Sequence, residues 1–183
     1  MATEIERKYL VSSPDWQSAN ITSAKRLTQG YMTQSHPDVR SQPEARVRVV
    51  QQLADNNYPE HSEAFITFKS KGTLTRKEVE MPVSVDQAKD LLEMCDNRVL
   101  VKDRYCISEG GKVWEVDVYH GHLSGLVVAE VELTSENEKV DTPSWIGTEL
   151  TEDTRFKNAN LIGVRWDGQD LRPAGHSKKN IKP

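Results

Sequence analysis

Alternation between charged and apolar residues runs through most of this chain of 183 residues. Successive side chains of a strand point to opposite faces, so a period of two predicts strands with one charged face and one apolar face. Eight segments have this pattern: residues 3–11, 25–34, 45–53, 63–71, 74–82, 98–108, 112–119 and 126–134. Glycines in short connections, at Gly72 and at Gly110 and Gly111, indicate hairpins. We therefore expect a mainly β chain with antiparallel pairing.

Helices are predicted to be few. Residues 84–95 favour an amphipathic helix, because Ser84 and Gln87 form a capping box ahead of an apolar stripe. Asp153 is predicted to cap a second helix over residues 154–162, and Ser13 and Pro14 to begin a short helical turn. We expect one domain over residues 1–167, followed by a mobile tail at 168–183 that has little to bury.

Composition argues against several classes of protein. The chain has 24 Lys and Arg against 28 Asp and Glu, a net charge of −4, which does not suit a basic nucleic-acid-binding domain. No apolar run approaches the roughly 20 residues of a membrane helix. The N-terminus lacks the apolar core of a signal peptide, and only Cys95 and Cys106 could form a disulfide. We expect a cytoplasmic monomer or homodimer with no nucleic-acid or membrane partner.

The charges on the polar strand faces are grouped by sign. Like-signed residues occupy alternate positions on five strands: Glu4 and Glu6, Arg46 and Arg48, Lys102 and Arg104, Glu115 and Asp117, Glu130 and Glu132. Such neighbours lie roughly 7 Å apart on one face and repel without counter-ions. The simpler interpretation is an open antiparallel sheet with one solvated face. A solubilising face, however, usually mixes both signs of charge.

Closing about eight strands into a barrel would turn these charged faces toward one lumen. Arginine offers a planar fork to phosphate oxygens, and lysine offers a point charge. Paired carboxylates supply the oxygen ligands that Mg²⁺ and Mn²⁺ prefer. Basic and acidic clusters in one lumen therefore predict a site for a metal–polyphosphate complex.

The order of the charged motifs resembles the CYTH family, the triphosphate tunnel metalloenzymes, and especially its small bacterial inorganic triphosphatases. The motifs are EIERK at 4–8, QGY at 29–31, RVR at 46–48, TFK at 67–69, RKEVE at 76–80, KDRY at 102–105, EVD at 115–117, EVE at 130–132, TED at 151–153 and RFKN at 155–158. The resemblance covers roughly residues 3–162. It implies a closed eight-stranded antiparallel β-barrel, the triphosphate tunnel, with a few external helices.

The resemblance also implies roles for individual residues. The metal ligands, for Mg²⁺ or Mn²⁺, would be Glu4, Glu6, Glu130 and Glu132. The substrate-binding residues would be Lys8, Tyr31, Arg46, Arg48, Lys69, Arg76, Lys102, Arg104, Arg155 and Lys157. Among these, the expected catalytic residues are Lys8, Arg48, Lys69, Lys102 and Arg104. Further tunnel acids, without individual roles, would be Glu78, Glu80, Glu115 and Asp117.

The function implied is metal-dependent hydrolysis of inorganic tripolyphosphate, with nucleoside triphosphates as weaker substrates. The partner would then be a small polyphosphate, split into pyrophosphate and phosphate. Two alternatives keep the same fold: an adenylate cyclase of the CYTH type and a thiamine triphosphatase. An alternative of another class is a polyphosphate-binding barrel without catalysis. Only turnover of the substrates distinguishes these four.

Overall fold

A computed structural model of the protein describes residues 2–32, 44–53 and 62–174. Its eight long strands are β1 (Ala2–Val11), β2 (Ile21–Tyr31), β3 (Glu44–Gln52), β4 (Ser62–Lys69), β5 (Thr75–Val83), β6 (Val99–Glu109), β7 (Lys112–Tyr119) and β8 (Val127–Glu132). Each lies on a predicted segment, although the ends differ. Strand β2 begins at Ile21 rather than residue 25, because an irregularity after Ile21 lets it continue along β6. Residues 33–34 of that predicted segment lie outside the described ranges.

The eight strands form a closed antiparallel barrel. Their order is β5-β4-β3-β2-β6-β7-β8-β1, and β1 also pairs with β5. Within β1, Glu4 lies opposite Arg76 of β5, whereas Lys8 lies opposite Glu130 of β8. One strand therefore joins the two ends of the sheet. The prediction of a closed eight-stranded barrel is confirmed, and the open-sheet interpretation is wrong.

Three short strands were not predicted. Strand β9 (Ile146–Glu149) pairs with the end of β1, while β10 (Val164–Trp166) and β11 (Leu171–Pro173) form a hairpin. The Asp167 carboxylate accepts hydrogen bonds from the backbone N–H groups of Gln169 and Asp170 and so orders the turn of this hairpin. Residues 171–173 of the predicted mobile tail therefore form strand β11. Residues 175–183 lie outside the described ranges.

The predicted amphipathic helix is confirmed as α1 (Val85–Met94). Ser84 is its N-cap, and Ser84 and Gln87 form both hydrogen bonds of the capping box. The helix buries Ala88 against β3 and β4, in a cluster with Val47 and Ala64. It therefore covers the outer face of the barrel wall.

The helix predicted over residues 154–162 is wrong. Two single 3₁₀ turns, Thr154–Phe156 and Asn158–Asn160, occupy the segment. Asp153 does accept a hydrogen bond from the Arg155 N–H, but Lys157 adopts an extended backbone (φ −66°, ψ 134°) that interrupts the helix. The predicted turn after Ser13 is a 3₁₀ turn at Pro14–Ser18.

An apolar cluster fills one end of the barrel. Four residues of this cluster point into the lumen: Tyr31, Leu100, Tyr119 and Val128. Each lies two positions along its strand from a charged inward-facing residue, or directly opposite such a residue on the neighbouring strand, and so shares its face. They pack with side chains of the segment after β9: Leu150, Phe156 and Leu161. The lumen is consequently polar over part of its length and packed with apolar side chains at this end. Among the described residues, no helix has the length and apolar character needed to cross a membrane.

Candidate active site

A cavity of about 310 Å³ lies inside the barrel. Its wall is built from the inward faces of β1 and β3–β8, together with residues 157–158 of the interrupted segment. Fourteen of the predicted site residues line it: Glu4, Glu6, Lys8, Arg46, Arg48, Lys69, Arg76, Glu78, Glu80, Arg104, Glu115, Glu130, Glu132 and Lys157. Strand alternation brings all of them except Lys157 together, because the other thirteen lie on the inward faces of their strands.

Four predicted site residues do not line this cavity. Lys102 and Asp117 share the inward faces of β6 and β7 with Arg104 and Glu115, but their side chains have 0% exposure and lie beyond the cavity, beside the apolar end of the lumen. Tyr31 belongs to the apolar end of the lumen, where its hydroxyl accepts a hydrogen bond from Gln29. Arg155 has a side chain that is 59% exposed and is paired with Asp153 and Asp170. Of the two residues of this segment that were predicted to reach substrate, Lys157 lines the cavity and Arg155 does not.

Sequence reasoning missed Glu44 and Asn158, which also line the cavity. Glu44 lies on β3 two residues before Arg46, so it shares the inward face of that strand. The two-residue spacing from Arg46 could have predicted its place in the lumen. Asn158 was noted only as part of a motif. Its side-chain oxygen accepts a hydrogen bond of 2.5 Å from the Tyr119 hydroxyl, which ties the interrupted segment to β7.

Most carboxylates of the cavity are paired with lysine or arginine. Lys69 Nζ lies 2.8 Å from Glu4 Oε2 and 2.6 Å from Glu78 Oε2. Lys8 Nζ lies 2.9 Å from Glu130 Oε1. Burial would raise the pKa of Glu130, but the Lys8 and Arg104 cations outweigh it and hold that pKa well below its usual range. These pairs fix the side chains within the lumen.

The pKa of Glu6 is shifted in the opposite direction. Burial raises it, and the neighbouring carboxylates of Glu130 and Glu4 raise it further, although Glu6 also pairs with Arg76. Glu6 and Glu132 are directly opposite each other on β1 and β8. Negative charge is therefore in excess at this part of the wall.

Arg46 and Arg48 form the contrasting part of the wall. Among the described residues, the buried Nε atoms of both side chains have no hydrogen-bond partner. Arg46 donates from Nη2 to Thr67 Oγ1 at 3.3 Å. Burial, and then the neighbouring Arg46 and Arg104 cations, lower the pKa of Arg48 to about 10. Two adjacent guanidinium groups with unused donors are suited to binding an anion.

The lining as a whole is nearly neutral, with eight carboxylates and seven lysine or arginine side chains. A polyphosphate would add several negative charges, so cations would have to accompany it. The oxygen ligands of Glu4, Glu6, Glu130 and Glu132, on adjacent strands, fit hard cations such as Mg²⁺ and Mn²⁺. No group of three His, Cys, Asp or Glu among residues 2–32, 44–53 and 62–174 is already arranged to hold a metal ion.

A closed antiparallel barrel with lysine, arginine and glutamate interleaved in its lumen defines a tunnel protein for a small polyanion. The CYTH domain matches residues 2–162 of the chain. The chain belongs to the CYTH domain family, as its motifs indicated.

The relatives support this assignment. An inorganic triphosphatase of Acetivibrio thermocellus is 34% identical over 164 residues, which are 88% of this chain and 94% of that protein. An inorganic triphosphatase of Nitrosomonas europaea is 37% identical over 163 residues, 87% and 96% of the two chains. The crystal structure of an inorganic triphosphatase superposes with a TM-score of 0.60 at 37% identity, covering 88% of this chain and 95% of the other.

Proposed function

We propose that this protein is a metal-dependent triphosphatase that hydrolyses inorganic tripolyphosphate to pyrophosphate and phosphate. The observation that carries the proposal is the enclosed lumen in which the unused donors of Arg46 and Arg48 face a wall of carboxylates. Two relatives that cover most of the chain are named inorganic triphosphatases, which supports the same reaction.

The lining of the cavity favours an inorganic substrate. Apart from Val113 and Val131, its side chains are charged or polar. A tripolyphosphate can use these groups along its whole length, because every part of it is anionic. The base of ATP or the thiazolium and pyrimidine rings of thiamine triphosphate would find little apolar surface there. Nucleoside triphosphates are therefore expected to be weaker substrates.

The metal requirement is also part of the proposal. Glu4, Glu6, Glu130 and Glu132 would hold Mg²⁺ or Mn²⁺, which supplies charge neutralisation and lowers the pKa of bound water. The raised pKa of Glu6 supports this, because a nearby cation would relieve its repulsion from Glu130 and Glu4. The near-neutral lining supports it too, since it cannot neutralise a polyanion by itself.

The cations of the lumen would bind and orient the phosphates. Arg46 and Arg48 can each present a planar fork to phosphate oxygens without first giving up a carboxylate. Lys8, Lys69 and Arg104 are already paired with carboxylates of the lumen, so they are in place when charge develops on the transferred phosphoryl group. One set of cations would therefore bind the substrate, and the other would stabilise the transition state.

A product assay tests the proposal. Tripolyphosphate, ATP and thiamine triphosphate are supplied in turn with Mg²⁺, with Mn²⁺ or with a chelator, and ³¹P NMR identifies the products. We expect the highest kcat/KM for tripolyphosphate, equal amounts of pyrophosphate and phosphate, and no turnover with chelator. Cyclic AMP from ATP would establish the cyclase instead, and binding without turnover would establish a non-catalytic barrel.

We also propose a cytoplasmic location and a monomeric or homodimeric state. Cys95 and Cys106 are both free thiols in the structure, in keeping with a reducing compartment. Cell fractionation and sedimentation equilibrium test these two statements.

A further inference from the structure

The hairpin of β10 and β11 lies beyond the part of the chain that matches the CYTH domain, which ends at residue 162. The Ala174 N–H donates to Gly163 O, with 2.8 Å between the two atoms, and closes the base of the hairpin. Leu171 of β11 packs against the apolar cluster that fills one end of the barrel. Strand β10 packs against the 3₁₀ turn at Gly121–Leu123, which connects β7 to β8. The hairpin is therefore anchored to the barrel wall.

From this anchor the hairpin reaches the 3₁₀ turn at Thr154–Phe156. The Trp166 ring of β10 packs against the Phe156 ring, with centroids 6.5 Å apart and an angle of 64° between the planes. Asp170 Oδ1, in the turn of the hairpin, lies 3.2 Å from Arg155 Nη1. Phe156 is buried, whereas the ion pair of Arg155 and Asp170 is exposed, and exposed pairs contribute little free energy. The contact of Trp166 with Phe156 is therefore the principal one.

Lys157 comes directly after this turn, and its side chain lines the cavity. Its Nζ donates to Gly72 O at 2.6 Å. Burial, and then the neighbouring Arg76 cation, lower the pKa of Lys157, so the local charge does not draw a lysine cation to this place. The backbone of Lys157 is extended between the two 3₁₀ turns. The direction of its side chain therefore depends on how the preceding turn is held.

We propose that Trp166 is a positioning residue that holds Lys157 in the lumen from outside the barrel. This inference rests on the proposed function of the lumen, and it gives the hairpin beyond the family match a role in the reaction. Lys8 also contacts the turn, through a hydrogen bond from Nζ to a backbone carbonyl, but the Glu130 carboxylate holds that ammonium independently. Lys157 is therefore the lumen cation that depends on the hairpin.

A double-mutant cycle on kcat/KM for tripolyphosphate tests whether Trp166 acts through Lys157. The variants are Trp166→Ala, Lys157→Met and the combination of both. Trp166→Ala should lower kcat/KM by about fivefold in the wild type and by less than about twofold in the Lys157→Met background, as expected for coupled residues. An equal loss in both backgrounds would show that Trp166 acts by another route, and wild-type kinetics in Trp166→Ala would show that it does not act at all. Either result would overturn the proposal.

Two further variants separate positioning from a general loss of stability. Trp166→Phe keeps an aromatic ring against Phe156 and should retain most of the wild-type kcat/KM. Arg172→Ala removes an ion pair within the same hairpin, where Arg172 Nε lies 2.8 Å from Asp167 Oδ2, and should leave the kinetics unchanged. A loss in Arg172→Ala as large as the loss in Trp166→Ala would mean that any damage to the hairpin lowers activity, and the assignment to Trp166 would be wrong.

Amide hydrogen exchange gives a result that does not need turnover. The Asn160 N–H donates to Lys157 O at 2.8 Å, so its exchange with solvent reports on the order of this segment. Exchange should be faster in Trp166→Ala than in the wild type and unchanged in Arg172→Ala, with the Ala88 amide of helix α1 as the internal reference. Unchanged Asn160 exchange in Trp166→Ala would contradict the inference. If the wild type shows no triphosphatase activity, the proposed function fails, while this measurement still decides whether Trp166 holds the segment.

Discussion

Individual residues of the lumen differ in what they have left to offer a substrate. Carboxylates already pair with Lys8, Lys69 and Arg104. The Nε atoms of Arg46 and Arg48, in contrast, have no hydrogen-bond partner among the described residues. Burial, and then the neighbouring Arg46 and Arg104 cations, also lower the pKa of Arg48. A bound phosphate would accept a hydrogen bond from the unpartnered Nε–H of Arg48 and would offset the crowded positive charge. Arg48 is therefore expected to stabilise the transition state as well as to bind the substrate.

Arg48→Ala is therefore expected to lower kcat/KM for tripolyphosphate by about 2–4 kcal/mol of transition-state stabilisation, because a bidentate contact in an enclosed site is lost. Arg48→Lys should recover only part of it, since an ammonium cannot reproduce the planar fork. Steady-state kinetics should show the loss in kcat as well as in KM. Arg172→Ala, at an exposed ion pair with Asp167, is the control. Wild-type kinetics in Arg48→Ala would remove Arg48 from the site.

The raised pKa of Glu6 predicts a pH-dependent effect on stability. Folded Glu6 holds its proton more tightly than unfolded Glu6, whose pKa is near 4.5, so the folded state loses stability as pH rises above that value through the raised pKa. Glu6→Gln removes this loss. With chelator present, the variant should melt at a higher temperature than the wild type at pH 7, and the difference should shrink toward pH 4.

Glu63→Gln is the control for this measurement, because Glu63 is exposed on β4 and should melt like the wild type at both values. A wild type that melts higher than Glu6→Gln at pH 7 would contradict the assignment of excess negative charge at Glu6.

Local sequence signals predicted some helices and strands accurately and missed others. The capping box of Ser84 and Gln87 precedes an apolar stripe, and helix α1 forms there. Asp153 offers the same kind of cap, yet no helix follows, because Lys157 extends so that its Nζ reaches Gly72 O at 2.6 Å. That contact joins residues 85 positions apart in the chain, and no local pattern records it. Strands β9–β11 were missed because three or four residues carry too little alternation.

The same reasoning explains which site residues were predictable. Alternation placed Arg46 and Glu130 on inward faces, and it would also have placed Glu44. It could not distinguish Lys102 from Arg104, which share a face of β6. Their depths differ because the barrel end beside Lys102 is filled with apolar side chains such as Leu100 and Tyr119. Depth along a lumen depends on strand tilt and packing, which the sequence alone does not give.

The cap of helix α1 gives a prediction for an element remote from the lumen. Ser84→Ala removes the hydroxyl that accepts a hydrogen bond from the Gln87 N–H, so the free energy of unfolding should fall by about 1 kcal/mol. The helix packs on the outer wall, so kcat and KM for tripolyphosphate should be unchanged. Urea denaturation measures the first effect, with Ser124→Ala at an exposed serine outside the helix as control. Unaltered stability would mean that the cap contributes nothing.

The whole molecule is a closed barrel whose lumen is nearly neutral although its parts are strongly charged. Pairing of β1 with both β5 and β8 closes the ring and confines eight carboxylates and seven cations to one cavity. Ion pairs then hold most of the lumen side chains in place, while repulsion at Glu6 and at Arg48 remains. A metal ion and a polyphosphate would each relieve one of these repulsions, so their binding should be coupled.

Thermal unfolding tests this coupling. At constant ionic strength, Mg²⁺ alone and tripolyphosphate with chelator should each raise the melting temperature slightly, because each leaves one sign of charge uncompensated in the lumen. Together they should raise the melting temperature by more than the sum of the two separate shifts, because each compensates the charge that the other leaves in the lumen. For scale, a ligand at one hundred times its Kd stabilises the folded state by about 2.7 kcal/mol. Turnover during the scan is avoided by using Ca²⁺ or a non-hydrolysable imidotriphosphate in parallel. The full shift with tripolyphosphate and chelator would show that the lumen binds the polyanion without metal, and Glu4, Glu6, Glu130 and Glu132 would then lose their proposed role.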